Sequence, residues 1–202
     1  TELERVALEI RQGGGEAHVF AADVAQKTAV HPLAHAASAL VGDIDILIHN
    51  ASALGPVPMP LLLDTECEDF SAVLETNLLG PLRLTRAIAG GMVLRKRGVI
   101  VFVSSDAAVN AYPQWGSYGA SKAALDHLAR TFAAELEGTG VRVLVIDPGE
   151  MDTEMHAAAL PGSDRATLAR PDDVAATIVA MIADETRAKS GARLEVAKWS
   201  DR

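Results

Sequence analysis

Three short aliphatic runs constrain this chain most: Ile44-Asp45-Ile46-Leu47-Ile48, Val99-Ile100-Val101-Phe102-Val103 and Val141-Arg142-Val143-Leu144-Val145-Ile146. Successive side chains of a strand point to opposite faces, so runs with few polar residues ask for burial on both faces. Longer segments with helical spacing lie between them. Strands buried on both faces and alternating with helices specify a parallel sheet covered on both sides, a three-layer α/β/α arrangement. In such sheets ligands sit at the carboxyl ends of strands. Small or polar residues follow each run at that end: Asn50-Ala51-Ser52, Ser104-Ser105 and Asp147-Pro148-Gly149.

The remaining elements follow from periodicity. Leu3, Val6, Ala7 and Ile10 are spaced for one helical face, and Gly13-Gly14-Gly15 stops that helix. His18 to Val24 reads as a further strand ending in Asp23-Val24, followed by a helix over 25–40 that His31-Pro32 can delay. Residues 53–60 hold three prolines and a glycine and form a loop. A helix is expected over 64–97, broken near Gly80-Pro81, and another over 117–137. Residues 151–170 are irregular or locally helical. Pro171-Asp172-Asp173 starts a helix reaching about Glu185, with proline and acids in its first turn. Leu194 to Trp199 reads as a last strand. No linker, repeat or low-complexity segment interrupts the chain, so 1–202 is expected to form a single domain.

Composition narrows the function classes. With 202 residues, 49% hydrophobic, the chain suits one domain with a sizeable core. A net charge of −9 argues against a nucleic-acid partner, since phosphate binding needs clustered Lys and Arg. No apolar run approaches the roughly 20 residues of a membrane span, and residues 1–12 lack the apolar core of a signal peptide. The single cysteine, Cys67, fits a reducing compartment. A cytoplasmic protein is the expectation. His31 and His35 have i,i+4 spacing, but no acid nearby completes a ligand set, and Asp152, Glu154 and His156 read as polar loop residues, so no metal is expected.

Tyr118 and Lys122, four residues apart, share one face of the helix over 117–137. A nearby positive charge favours the phenolate and brings the tyrosine's proton exchange closer to neutral pH. With Ser105 at the end of its strand, the pair could polarise a carbonyl and move a proton onto or off it.

These motifs, in this order, resemble the classical short-chain dehydrogenase/reductase family over essentially the whole chain. His49-Asn50-Ala51-Ser52 is similar to the family's Asn-Asn-Ala-Gly turn. Asn77, in Thr76-Asn77-Leu78-Leu79-Gly80, falls where the family keeps a helix asparagine. Ser105 and the Tyr118/Lys122 pair match the catalytic serine and YxxxK. Pro148-Gly149-Glu150-Met151-Asp152-Thr153 matches PGxxxT, and Asp23-Val24 resembles the Asp-Val ending the third strand.

The resemblance implies a Rossmann-like doubly wound parallel sheet and an oxidoreductase moving hydride between NAD or NADP and a carbonyl/alcohol substrate. It implies Tyr118 as general acid/base. Lys122 would favour the tyrosinate and hold ribose hydroxyls, and Ser105 would donate to the substrate oxygen. Asn77 would anchor a relay water, the alternative being a structural amide bonded to backbone. Cofactor contacts would come from Asn50, Ala51 and Ser52, and from Asp23-Val24, where Asp23 could equally cap a turn. Pro148, Gly149, Met151 and Thr153 would line the nicotinamide pocket, Thr153 alternatively serving as a helix N-cap. Leu54, Gln114 and Trp115 would line a rather open substrate pocket. A homodimer or homotetramer using helices 64–97 and 117–137 is implied too. The rival readings are a non-catalytic dinucleotide-binding sensor or scaffold, which retention of Ser105, Tyr118, Lys122 and Asn77 opposes, and an isomerase or dehydratase on the same fold.

The family begins with a strand, a Gly-rich turn, a helix and a second strand, and nothing here precedes the helix Leu3 to Arg11. The expectation is that roughly 30 to 40 upstream residues, about one βαβ unit, are missing from the sequence. In a sheet ordered 3-2-1-4-5-6 those strands would flank residues 18–24 and 44–48. Without them, 18–24 has no neighbour.

Overall fold

The computed structural model describes residues 1–199. Its centre is a four-stranded parallel sheet of β1 (Ile46–His49), β2 (Gly98–Val103), β3 (Val141–Asp147) and β4 (Arg193–Glu195), in sequential order. Register pairs Ile48 with Val101 and Phe102 with Val145. Helices cover both faces of β2 and β3, α4 (Gly80–Arg95) and α5 (Gly116–Glu135) on one and α7 (Pro171–Ala183) on the other, whereas the edge strand β1, against expectation, leaves Ile46 and Ile48 exposed on one face, where no helix among the described residues packs on them.

Alternation along the strands divides the core. Ile100, Phe102, Val143 and Val145 pack with Met92 of α4 and with Leu125 and Ala129 of α5. Val101, Leu144 and Ile146 pack with Met181 and Ile182 of α7. Each fully buried aliphatic side chain here contributes about 1.5–3 kcal/mol.

The N-terminal helix α1 (Glu2–Gln12) is closed by a capping box between Thr1 and Glu4 and ended at Gly13, so the glycine run is a helix stop. Residues 15–23 form no strand, against expectation. Isolated strand geometry has no ladder to hold it, and none of the described residues pairs with this segment. Helix α2 (Lys27–Val41) starts two residues later than expected and accommodates Pro32 internally.

Between residues 67 and 95 the helix is not broken at Gly80-Pro81. Instead α3 (Cys67–Leu74) runs through a π turn (Glu75–Leu79) into α4, with Gly80 N–H donating to the Glu75 carbonyl. Gly80 allows a close approach: a Cβ there would lie 2.9 Å from the Val24 carbonyl. The last strand stops at Glu195, and Val196–Lys198 form a 3-10 turn that sets Trp199 under Arg187, 3.9 Å from guanidinium carbon to ring centroid. Among the described residues no helix is long and apolar enough to cross a membrane.

Candidate active site

The carboxyl ends of β1, β2 and β3 open into one cleft of about 510 Å³. The loop after β1 brings Asn50, Ser52 and Leu54 to it. Ser105 follows β2, and Tyr118 and Lys122 come from the first two turns of α5, with Trp115 at its N-cap. The loop after β3 supplies Pro148, Gly149, Met151 and Thr153. Eleven of the sequence-derived candidates therefore meet in one place.

Tyr118 is 8% exposed. Its ring faces the edge of Trp115 at 5.7 Å between centroids, and Lys122 Nζ lies 5.5 Å from its ring centroid. The expectation that the ammonium brings the phenol toward neutral pH is not met. Burial raises the Tyr118 pKa above its ordinary value of 10.0; hydrogen bonding from Ser105 and Ser52 opposes this, while Asp147 and Asp106 reinforce it. Desolvation of a would-be phenolate outweighs a cation whose hydrogen bond goes elsewhere. Lys122 donates to the Val103 carbonyl at 2.8 Å, and burial lowers its own pKa to about 8, against a smaller upward push from Asp126.

Ser105 caps the 3-10 turn Asp106–Ala108, accepting from Ala107 N–H at 3.2 Å. Its hydroxyl donates to Asp106 Oδ1 at 3.1 Å. A hydroxyl has one proton to give, so donation to a substrate oxygen requires it to turn from Asp106 into the cleft.

Asn77 does not face the cleft. Its Oδ1 accepts from Ala53 N–H at 2.7 Å and the Ser52 hydroxyl at 3.3 Å. Its Nδ2 donates to the Ala53 carbonyl and the Ser121 hydroxyl, both at 2.9 Å. All four hydrogen-bonding positions of the amide are taken. The side chain is thus engaged as a structural amide, clamping the loop after β1 to α5.

Four other candidates also lie outside the cleft lining. Asp23 caps a turn, its Oδ1 accepting from Ala25 N–H at 2.9 Å, and Val24 abuts Gly80. Ala51 is exposed, and Gln114 is an exposed turn residue with φ of 72°. That turn points Gln114 out and leaves Trp115 to form the wall. Thr153 is the N-cap of α6 (Glu154–Ala159), accepting from His156 N–H at 3.1 Å.

The far wall includes α7 residues that the sequence did not single out. It consists of Met155 and Leu160 from the α6 segment with Pro171, Val174, Ala175 and Ile178 on α7. The 3, 4, 7 spacing of that α7 stripe was the available signal, but it is equally the signature of a core face. Asp126 and Arg193 were missed as well: Ser104 donates to Asp126, which also accepts from Arg193 at 3.1 Å. Among the described residues no group of three His, Cys, Asp or Glu could hold a metal.

The cleft suits the nicotinamide–ribose half of a dinucleotide. Gly149 has φ of 75°, and a Cβ there would meet nothing within 4 Å, so the backbone lies open to a flat ring. The bridge between Met151 and Ala169 uses the Glu150 carbonyl and the Asp152 N–H, so Met151's own backbone groups take no part in it. Lys122 retains ammonium hydrogens beyond the one given to Val103.

A family model described as short chain dehydrogenase matches residues 1–163. A short chain dehydrogenase of Pseudocercospora fijiensis is 37% identical over 160 residues, 77% of this chain and 50% of the relative. The chain thus spans half the length of that relative. A 3-oxoacyl-(acyl-carrier-protein) reductase of Synechocystis is 34% identical over 193 residues, 93% of this chain and 77% of the relative. An alcohol dehydrogenase from the archaeon Thermococcus sibiricus, solved with 5-hydroxy-NADP, has a TM-score of 0.82 at 25% identity, covering 99% of this chain and 84% of that one. The sheet, the Ser105–Tyr118–Lys122 cleft and the family match over residues 1–163 agree: this chain belongs to the short chain dehydrogenase family.

Proposed function

We propose that this protein is an NAD- or NADP-dependent oxidoreductase that interconverts a small-molecule alcohol and its carbonyl compound. The observation that carries the reading is the convergence of Ser105, Tyr118 and Lys122 on one cleft whose opposite wall is the open Gly149–Met151 backbone. A bound nicotinamide dinucleotide supplies or accepts the hydride. In reduction Tyr118 gives its hydroxyl proton to the substrate oxygen, and in oxidation it takes that proton back. Ser105, turned from Asp106, donates a hydrogen bond to the same oxygen, where negative charge develops. Lys122 holds ribose hydroxyls while Thr153 and the Met151 backbone hold the carboxamide. Asn50 and Ser52 line the adenosine-side approach. The apolar wall of Met155, Leu160, Val174 and Ile178 favours a substrate with an apolar body beside its carbonyl.

The test is titration of the protein with NADH and with NADPH, followed by a screen of ketones. Tyr118→Phe is expected to lose at least about 100-fold in kcat, and retained turnover would overturn the mechanism.

Residues 1–202 are read as one Rossmann-like domain acting as a homodimer or homotetramer through the α3–α4 and α5 faces. Ala120, Ala123 and Ala134 are exposed on α5, where close helix approach is sterically open. Light scattering that returns a monomer would remove that assignment. A cytoplasmic location is supported by Cys67, an exposed free thiol; recovery of the protein in a membrane or secreted fraction would contradict it.

A further inference from the structure

Arg193, the first residue of β4, reaches beneath the cleft from the far end of the chain. Its Nε donates to Asp126 Oδ2 at 3.1 Å, and its Nη2 donates to the Ser105 carbonyl and to Asp147 Oδ2, both at 2.9 Å. Asp126 stands one helical turn beyond Lys122 on α5, and its other oxygen accepts from the Ser104 hydroxyl. Asp147 Oδ1 accepts from Gly149 N–H at 3.0 Å. The side chains of Arg193, Asp126 and Asp147 are 17%, 4% and 8% exposed. One planar fork therefore joins the serine turn after β2, the glycine turn after β3 and the lysine end of α5. Fixed donor directions on a guanidinium set relative positions in a way a single ammonium does not.

We propose that Arg193 is a positioning residue of this site: it holds the Ser105 turn, the Asp147–Gly149 turn and α5 in register, and it neutralises the Asp126 and Asp147 carboxylates beneath Tyr118. The kinetic part of this inference rests on the oxidoreductase reading; the geometric and electrostatic part does not.

The charges around the phenol make the second role measurable. Tyr118 is faced by the Ser52 and Ser105 hydroxyls, the Asp106 and Asp147 carboxylates and the Lys122 ammonium. Arg193 is faced by Asp126, Asp147 and Glu195, with Glu195 also paired to Lys198 at 2.7 Å and Arg130 adding positive charge near Asp126. Asp147 makes the phenol harder to ionise. With Arg193 gone, that carboxylate acts on Tyr118 unopposed.

The chain has two tyrosines, Tyr112 and Tyr118, so carbon-13 labelling of the tyrosine ring gives two NMR signals, which Tyr112→Phe assigns. Arg193→Met is expected to move the Tyr118 titration upward by about half a unit or more. Asp147→Asn moves it downward, and the double variant returns it toward the parent. Arg193→Lys restores the charge without the fork, so the titration recovers while kcat stays about tenfold or more below the parent with KM little changed. An unmoved Tyr118 titration in folded Arg193→Met would overturn the proposal. Should that variant not fold, Asp147→Asn decides alone, and an unmoved titration there has the same force. Absence of turnover in the parent, with the titrations moving as stated, would sink the oxidoreductase reading and leave the placement of Arg193 standing.

Discussion

Lys122 donates to the Val103 carbonyl at 2.8 Å, anchoring the ammonium on the strand that ends at the serine turn. Its pKa is drawn down by burial from an ordinary 10.5 to about 8. Between those values the unfolded chain holds the proton and the folded chain does not, so this group's contribution to stability rises with pH through that window. Below it both states are charged, and the folded state bears a burial cost of about 3 kcal/mol. Lys122→Met is therefore expected to resist urea better than the parent at neutral pH, with the advantage closing as pH rises from about 8 toward 10.5. Urea midpoints of both proteins across that range check this. A constant advantage would show that lost charge is not its source.

His49 packs at a tilt against Phe102, 4.7 Å between ring centroids, and bonds to Thr85 Oγ1 at 2.8 Å inside the α4 face of the core. Burial lowers its pKa from 6.5 to about 4. Within that window the unfolded state takes the proton first, so stability falls as pH drops through it, by about 3 kcal/mol in all. His49→Asn, which keeps a partner for Thr85, should flatten the pH dependence of the urea midpoint between about 6.5 and 4. An unchanged slope would locate the acid sensitivity elsewhere.

Asn77→Ala removes four hydrogen bonds and strands the Ala53 N–H and carbonyl in a partly buried loop. A loss of about 2–4 kcal/mol is expected from two orphaned backbone groups. Denaturant unfolding measures it. Hydrogen exchange at Ala53 should rise with it, and an unchanged exchange rate there would refute the clamp.

Ser105→Ala is expected to lower kcat by about 100-fold if the hydroxyl stabilises the developing oxyanion. The substitution also deletes the cap of the 3-10 turn at Ala107. A kcat that falls while the thermal midpoint stays near that of the parent separates the chemical role from the cap.

What could be read from the sequence divides along physical lines. Strands β2 and β3 were legible because their apolar residues run consecutively, and a both-faces pattern has few other homes. The candidates after β1, β2 and β3 meet because each strand deposits its small and polar residues at the same end, while Trp115, Tyr118 and Lys122 reach the same cleft from the start of α5. Residues 18–24 misled because strand propensity needs a ladder, and a propensity cannot supply one. The reach of Arg193 to Asp126, 67 positions apart, leaves no trace in local spacing. Asn77 was found by position with two roles left open, since a side chain's hydrogen-bond partners are set by tertiary neighbours.

The π turn at Glu75–Leu79 holds one residue more than the α-helical turn it replaces. At about 100° per residue, an unbroken helix would swing Thr85 and Met92 about 100° or more away from Val73 around its axis. The surplus residue winds that offset out, and buried positions before and after the turn fall on a common side. Deleting any single residue between 75 and 79 would leave composition and hydropathy almost untouched. With one residue fewer the helix is regular and Met92 stands about five full turns from Val73, so the buried side is kept and the change falls on the turn's own residues, Asn77 among them.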